Sequence, residues 1–349
     1  MVTDRGPSLR ARARRASCID PSASGLPGPV TIDVILLAVG MALLLGGAEF
    51  LVRGASGLSR IIGISPLVMG LTLIAVGTSA PELAVNLFAA WRHKTDIAFG
   101  NVVGSNMANI GLVLGICGLV RSMPIGRHRL TGPTLLLATF AALGLSLDDW
   151  LGHPPVQFDR AEGIALLVMF AAFFHYAVSV ERHDGTSGIL TTRWETSAGE
   201  RVVPHLLRAF VGLGMVTAGA HLTVDAAVDL AQIFGVSEAL IGLTLVAIGT
   251  SLPELATGIV AIRHGQTALV VGGVLGSNIF NLLFVLGATA FTRPIPIPAR
   301  GLADLLAMSL LSGLLLVFAV SRRRRIGRME AGALIVLYGA YLSWRAGWM

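Results

Sequence analysis

The sequence is poor in charge, lysine and cysteine. Only 13% of its 349 residues are charged, whereas an average soluble domain has roughly 25%. The single lysine is Lys94, and no glycine-rich loop ends in Lys-Ser or Lys-Thr, so we expect no direct use of ATP. The two cysteines, Cys18 and Cys117, are too few for a disulfide framework or a cysteine metal cluster.

Apolar residues dominate instead. They make up 54% of the chain, and the mean hydropathy is +0.76. A membrane-spanning helix needs ~20 mostly apolar residues. About ten runs reach or approach that length: 32–52, 61–91, 98–120, 132–147, 162–180, 205–232, 236–262, 268–291, 301–320 and 329–346. We therefore predict an all-α polytopic membrane protein with ten transmembrane helices.

The net charge of +6 does not indicate nucleic-acid binding, because the arginines lie in loops between the apolar runs. Basic residues concentrate in short cytoplasmic loops. Their placement favours both termini outside and the polar connector 181–204 in the cytoplasm. The basic tail 1–31 does not fit this pattern, resembles a targeting segment and is expected to be disordered. The rest divides into a first repeat, 32–180, and a second, 205–349.

One long segment occurs twice. "GLTLIAVGTSAPELAVNLFAAWRHKTDIAFGNVVGSNMANIGLVLG" begins at Gly70, and "GLTLVAIGTSLPELATGIVAIRHGQTALVVGGVLGSNIFNLLFVLG" begins at Gly242. The offset is 242 − 70 = 172 throughout, and about half the positions are identical. Each half holds five predicted spans, so the second half enters the membrane from the opposite side. Two inverted five-helix repeats, with discontinuous helices at the midplane, are typical of secondary transporters.

Each copy of this segment carries one carboxylate, Glu82 or Glu254, directly after a proline. A carboxylate at the bilayer centre costs roughly 2.5–3.5 kcal/mol on insertion scales. No arginine or lysine occurs in 70–90 or in 242–262 to compensate it. The two glutamates therefore predict a site for a cation, although a protonated or hydroxyl-bonded glutamate is the alternative.

Other oxygen groups recur around these glutamates. Pro81 and Pro253 lack a backbone N–H, so we expect the carbonyls of 75–77 and 247–249 to lose their helical partners. Residues at i and i+4 share one helical face, which pairs Thr78 with Glu82, Ser105 with Asn109, Thr250 with Glu254, and Ser277 with Asn281. Hard cations such as Ca²⁺ take ~6–8 oxygen ligands. The pattern therefore predicts an all-oxygen cation site.

Charged residues near the span ends have simpler interpretations. Glu49 and Arg53 are four residues apart, and we expect them to pair near a helix end. His93 and His264 lie at the ends of their spans. They are not equivalent positions, because His264 corresponds to Arg92 at the offset of 172. We interpret both histidines as interfacial.

The two motif pairs, "GTSAPEL…GNVVGSNMAN" and "GTSLPEL…GGVLGSNIFN", closely resemble the alpha-repeats of the sodium/calcium exchanger branch of the cation/Ca²⁺ exchanger superfamily. The resemblance covers residues 32–346 and is closest to prokaryotic members, which lack a large regulatory loop. It implies ten helices, termini outside, a prokaryotic inner membrane location, and alternating access to central cation sites.

The resemblance also implies a ligand set. For Ca²⁺ the implied ligands are the Glu82 and Glu254 carboxylates, the Thr78 and Thr250 hydroxyls, and the Ala75 and Ala247 carbonyls. For Na⁺ they are the same carboxylates with Ser79, Ser251, Ser105, Ser277, Asn109 and Asn281. Some family members have an acidic residue where this chain has Asn109 or Asn281. Two glutamates balance one Ca²⁺ or two Na⁺, so a third Na⁺ would leave the site positive.

The expected function is secondary antiport of Ca²⁺ against Na⁺, with inorganic cations and the lipid bilayer as partners and without a cofactor. Antiport of Ca²⁺ against H⁺ is the nearest alternative, and a cation channel is a less favoured one. An intramembrane hydrolase would need a nucleophile and a base. Neither Ser79 nor Ser105 has a repeated histidine or lysine nearby, so we do not expect an enzyme.

Overall fold

The computed structural model describes residues 29–125, 139, 143, 157–183, 201–235, 249–298, 300–321 and 324–347. These residues are mostly helical. The helices are α1 (Pro29–Ile62), α2 with two halves (Pro66–Thr78 and Ala80–Trp91), α3 (Thr95–Val120), α4 (Arg160–His183), α5 (Val202–Ile233), α6 (Leu252–Arg263), α7 (Thr267–Thr292), α8 (Gly301–Val320) and α9 (Arg328–Ala346).

Six of the described helices, α1, α3, α4, α5, α7 and α8, are long and apolar enough to cross a membrane. The two halves of α2 meet at a bend of 42°. If they count as one span, the number of candidate membrane spans in the described part is seven. The described part is therefore a polytopic helical membrane protein. Ten spans and the inversion of the second half stay predictions.

The observed helix ends differ from the predicted ones at several places. α1 begins at Pro29, inside the predicted tail 1–31. α4 and α5 extend into both ends of the predicted connector 181–204. The predicted span 132–147 lies outside the described residues except for Thr139 and Leu143, and so does the part 236–248 of the predicted span 236–262.

The core lies around α3 and α7. In their apolar windows 78% and 94% of the residues are buried, whereas the corresponding shares for α1, α4, α5 and α8 are 22% to 33%. α7 packs closely on the first half of α2. A Cβ on Gly276 would lie 2.6 Å from the carbonyl oxygen of Leu71, and a Cβ on Gly70 would lie 2.5 Å from that of Leu269. The two helices that carry the Gly-Ser-Asn motifs, α3 and α7, are thus the most enclosed of the six.

Three π-helical turns interrupt α2, α3 and α7. They cover Gly70–Ile74 in α2, Asn109–Leu114 in α3 and Phe280–Val285 in α7. Such turns widen a helix and occur often at functional sites. The turns of α3 and α7 include Asn109 and Asn281, which are 172 residues apart.

Two short antiparallel ladders join loops of the two sequence halves. β1 (Met123–Pro124) pairs with β4 (Arg325–Ile326), and β2 (Gln157–Phe158) pairs with β3 (Ile295–Pro296). Each ladder has one strand from each half, so the halves are tied together outside the helices as well.

α1 and α5 pack against each other through glycines. A Cβ on Gly47 would lie 2.6 Å from the backbone nitrogen of Val216, and a Cβ on Gly54 would lie 2.6 Å from that of Ala209. In a bilayer, helix association depends on close van der Waals packing, which small residues permit. The glycines of this pair therefore have a packing role.

We predict that Gly212→Ala on α5 destabilises the protein while Gly214→Ala on the same helix does not. A Cβ at Gly212 would lie 2.7 Å from the carbonyl oxygen of Gly47, whereas nothing lies within 4 Å of a Cβ at Gly214. Overpacking of this kind costs about 1–3 kcal/mol. Thermal unfolding of the detergent-purified variants measures the difference, and equal melting temperatures would contradict the packing role.

Candidate cation-binding site

Glu82 and Glu254 each lie in the first turn of a helix. The second half of α2 begins at Ala80 and α6 begins at Leu252, with a proline in the first turn of each. Proline is tolerated there because the first N–H groups have no helical partner. Both carboxylates are buried at the end of a helix that carries positive partial charge.

The backbone has the same break in both copies. Ser79 precedes the second half of α2 with φ −92° and ψ 5°, and Ser251 precedes α6 with φ −91° and ψ 4°. In the first copy these angles lie at the 42° bend between the two halves of α2. The repeated sequence therefore produces a repeated local structure.

One prediction about this break is wrong. The carbonyl of Ala75 does not lose its helical partner, because the Ser79 N–H donates to it at 3.0 Å. Pro81 removes only the donor four residues after Gly77. A carbonyl has two lone pairs, so the Ala75 oxygen still has one available. Its counterpart, Ala247, lies outside the described residues.

Hydroxyl groups from both halves meet at Glu254. Ser79 Oγ donates to Glu254 Oε1 at 3.3 Å, and Ser277 Oγ donates to the same oxygen at 3.2 Å. Ser277 Oγ also lies 3.4 Å from Thr78 Oγ1, which donates to the Ile74 carbonyl at 3.0 Å. The predicted groups of α2 therefore contact those of α6 and α7.

The repeat-related counterpart of the Thr78–Ser277 contact is also present. Ser105 Oγ of α3 lies 3.2 Å from Thr250 Oγ1. These residues correspond to Ser277 and Thr78 at the offset of 172. Two hydroxyl pairs thus connect the two sequence halves, and one of them contacts Glu254 through Ser277.

Four asparagines connect α3 with α7. Asn109 Nδ2 donates to Asn278 Oδ1 at 3.1 Å, and Asn281 Nδ2 donates to Asn106 Oδ1 at 3.4 Å. Asn106 and Asn278 also donate to each other's backbone carbonyls, at 3.4 and 3.2 Å. Sequence reasoning missed Asn106 and Asn278, although both belong to the repeated Gly-Ser-Asn. This network holds the amide nitrogens of Asn109 and Asn281 away from any cation.

Several buried oxygens of the site accept no hydrogen bond within the described part of the chain. They are Glu82 Oε1 and Oε2, Glu254 Oε2, Asn109 Oδ1 and Asn281 Oδ1. The Ser251 hydroxyl also lacks a partner there. Burying such acceptors without compensation is costly, and the two carboxylates also repel each other. A hard cation offers the missing compensation.

The site differs from a carboxylate-rich metal centre. The described ranges contain no group of three or more His, Cys, Asp or Glu side chains that could hold a metal. Two carboxylates and neutral hydroxyl and amide oxygens form the candidate ligand set. This chemistry suits Ca²⁺ or Na⁺ and not a soft metal.

Outside the site, Glu49 and Arg53 form the predicted ion pair. Glu49 Oε1 also lies 2.8 Å from His264 Nε2, which sequence reasoning did not predict. This contact links α1 to the end of α6, whereas His93 contacts Arg293.

Comparison with known proteins identifies the family. The sodium/calcium exchanger protein family matches residues 32–178 and 205–347. The chain belongs to this family. The inner membrane protein YrbG of Escherichia coli (strain K12) is 36% identical over 318 residues, which cover 89% of this chain and 95% of YrbG. The sodium/calcium exchanger MaX1 of Methanosarcina acetivorans is 28% identical over 343 residues, covering 90% of this chain and 98% of MaX1.

A solved structure of the sodium-calcium exchanger NCX_Mj, soaked with 10 mM Na⁺ and zero Ca²⁺, matches with a TM-score of 0.76. It is 30% identical, and the match covers 90% of this chain and 99% of NCX_Mj. The resemblance inferred from the two motifs is thus confirmed. Sodium/calcium exchangers are membrane transporters and not an enzyme family, and membership supports antiport of a cation against Ca²⁺.

We predict that Asn106→Leu destabilises the exchanger in the absence of cations. Leucine removes the acceptor of Asn281 Nδ2, and an unsatisfied buried donor costs about 1–3 kcal/mol. Ser309→Ala is the control, because the bond that the described residues show for Ser309 lies within its own helix, to the Leu305 carbonyl. Thermal unfolding without Ca²⁺ or Na⁺ measures both variants. A melting temperature of Asn106→Leu equal to that of Ser309→Ala would exclude this structural role.

Proposed function

We propose that this chain is a secondary active antiporter that exchanges Ca²⁺ for Na⁺ by alternating access. The observation that carries the proposal is a set of buried oxygens that have no donor among the described residues: both carboxylate oxygens of Glu82, Glu254 Oε2, Asn109 Oδ1 and Asn281 Oδ1. Such a set is stable when a cation occupies it and unstable when it is empty. A site with this property binds a cation during the passage of the cation across the membrane.

The ligand assignment belongs to this proposal. Ca²⁺ binds the two carboxylates, the hydroxyls of Thr78 and Thr250, and the carbonyls of Ala75 and Ala247. Na⁺ uses the same carboxylates with the remaining hydroxyls and amides, which are Ser79, Ser251, Ser105, Ser277, Asn109 and Asn281. The contacts of Ser79 and Ser277 with Glu254 support a common site.

Obligatory exchange follows from the charge of the site. Two carboxylates without a cation would have to cross a barrier of low dielectric constant, where each charge is costly. A bound Ca²⁺, or bound Na⁺, removes that cost. Only the loaded protein therefore reorients between the two faces.

Na⁺ is favoured over H⁺ as the coupling ion. The repeated motifs carry neutral hydroxyl and amide oxygens besides the carboxylates, and a proton would need only the carboxylates. The relatives MaX1 and NCX_Mj are both named sodium/calcium exchangers. A Ca²⁺/H⁺ antiporter with the same glutamates is the alternative.

The membrane arrangement is also proposed. The arginine distribution favours termini outside and residues 181–204 in the cytoplasm. The relative YrbG is named an inner membrane protein, which supports a location in the inner membrane.

We predict that an outward or inward Na⁺ gradient drives Ca²⁺ across proteoliposomes that contain the purified chain, at clamped pH. Glu82→Gln and Glu254→Gln each abolish this flux, because each removes one of the two charges that compensate the cation. Asp96→Asn is the control, since Asp96 is an exposed carboxylate at the start of α3. Radioactive Ca²⁺ uptake measures all variants.

Two results would contradict the proposal. Uptake that follows a pH gradient and ignores Na⁺ would make the protein a Ca²⁺/H⁺ antiporter. Flux that continues without any counter-ion on the opposite side would indicate a channel. Thermal unfolding of both glutamine variants distinguishes a loss of flux in a folded protein from a loss of flux caused by unfolding.

A further inference from the structure

The two glutamates have unequal surroundings although each lies in the same repeated motif. Glu254 Oε1 accepts hydrogen bonds from Ser79 and Ser277. Within the described residues, neither oxygen of Glu82 accepts one, and Ser251, the counterpart of Ser79, donates none. One carboxylate is therefore partly compensated by hydroxyl donors, and the other is not.

Two positions next to the site differ between the copies. The first copy has Asn86 and Asn101, and the second has Gly258 and Gly273 at the offset of 172. Asn86 contacts Asn101, and Asn101 contacts Ser105. Gly258 and Gly273 instead border a small cavity whose wall includes Glu254. The cavity lies where the first copy has a polar pair of side chains.

The polarity of the asparagine pair is fixed by a backbone carbonyl. Asn86 Nδ2 donates to the Ala98 carbonyl at 3.2 Å, so Asn86 directs its Oδ1 toward Asn101. Asn101 Nδ2 donates to that oxygen at 2.7 Å. Asn101 consequently presents only its Oδ1, an acceptor, to the next residue in the chain of contacts.

That next residue is Ser105. Its Oγ donates to Asn101 Oδ1 at 3.5 Å. This is the longest of the three hydrogen bonds that connect Ala98, Asn86, Asn101 and Ser105. A serine hydroxyl has one proton. When that proton goes to Asn101, the 3.2 Å contact between Ser105 Oγ and Thr250 Oγ1 is made by the Thr250 proton. The Ser105 proton is then not available to Glu82, which corresponds to Glu254 at the offset of 172. In the second copy Gly273 offers no acceptor, and the proton of Ser277 goes to Glu254.

We propose that Asn101, oriented by Asn86, is a positioning residue that turns the Ser105 proton away from Glu82 and thereby leaves Glu82 and the Ser105 lone pairs free for the cation. The inference rests on the proposed function of the site, and it assigns unequal roles to the two glutamates. Glu82 is the carboxylate that binds the cation without competition from a hydroxyl donor. Glu254 shares its charge with two hydroxyls.

The test replaces Asn86 and Asn101 together by leucine, which has a similar shape and leaves no single asparagine unsatisfied. We expect the KM for Ca²⁺ uptake, and the apparent Kd from Ca²⁺-dependent thermal stabilisation, to rise roughly three- to tenfold, the effect of about one net hydrogen bond. The maximal rate stays within about twofold. The pair Asn86→Gly with Asn101→Gly, copied from the second half, tests the same idea if the leucine pair does not fold.

The control is the Ser105→Ala background. Because Asn101 acts through the Ser105 hydroxyl, removal of the asparagines there shifts the Kd by less than about 1.5-fold, as expected for two coupled positions. An equal shift in both backgrounds, no shift in the wild-type background, or a lower maximal rate at constant KM would overturn the inference.

The same measurements separate this inference from the proposed function. A wild-type chain that binds Ca²⁺ but shows no Na⁺-driven flux contradicts the proposed coupling, and the Kd comparison then still tests Asn101. A wild-type chain without Ca²⁺-dependent stabilisation overturns both.

Discussion

The arrangement of the helices depends on the burial of two carboxylates inside a membrane protein. Glu82 and Glu254 are almost completely enclosed, and the described residues around them offer hydroxyls, amides and helix N-termini but no lysine or arginine partner. Helix N-termini stabilise a negative charge only in part, by about 0.3–1 kcal/mol at exposed sites and up to ∼2 in buried ones. A bound cation, or protonation of the carboxylates, supplies the remaining compensation.

The packing of the helices serves this requirement. Two helices that bring polar groups together in a bilayer cannot rely on the hydrophobic effect, because lipid is as apolar as leucine. Gly70 and Gly276 therefore let α2 and α7 approach at backbone distance. Asn106 and Asn278 then bond α3 to α7 reciprocally. Close backbones and satisfied amides hold the acceptor oxygens at fixed positions.

The sequence was sufficient to predict features of the site that depend on the spacing of residues along the chain. The offset of 172 predicted that groups of the two copies meet, and Ser79 and Ser277 contact Glu254. The predicted i, i+4 pairs and the ligand set stay predictions. The sequence was insufficient to predict which side chains face a partner helix, because that depends on the rotation of each helix about its axis. Which asparagine of Gly-Ser-Asn-x-x-Asn faces the partner helix depends on how α3 and α7 cross, so Asn106 and Asn278 were missed. The Ala75 carbonyl was mispredicted because Pro81 affects only the donor four residues after Gly77.

A duplicated motif does not by itself produce two equal ligands. The residues that touch the cation site are repeated almost without change, yet Asn86 and Asn101 have glycine counterparts in the second copy. A hydroxyl proton must go to one acceptor, and a neighbouring position that differs between the copies decides which. In the first copy an amide oxygen accepts the serine proton, and in the second the carboxylate itself accepts it. Positions that never contact the ion can thus make two identical glutamates chemically different.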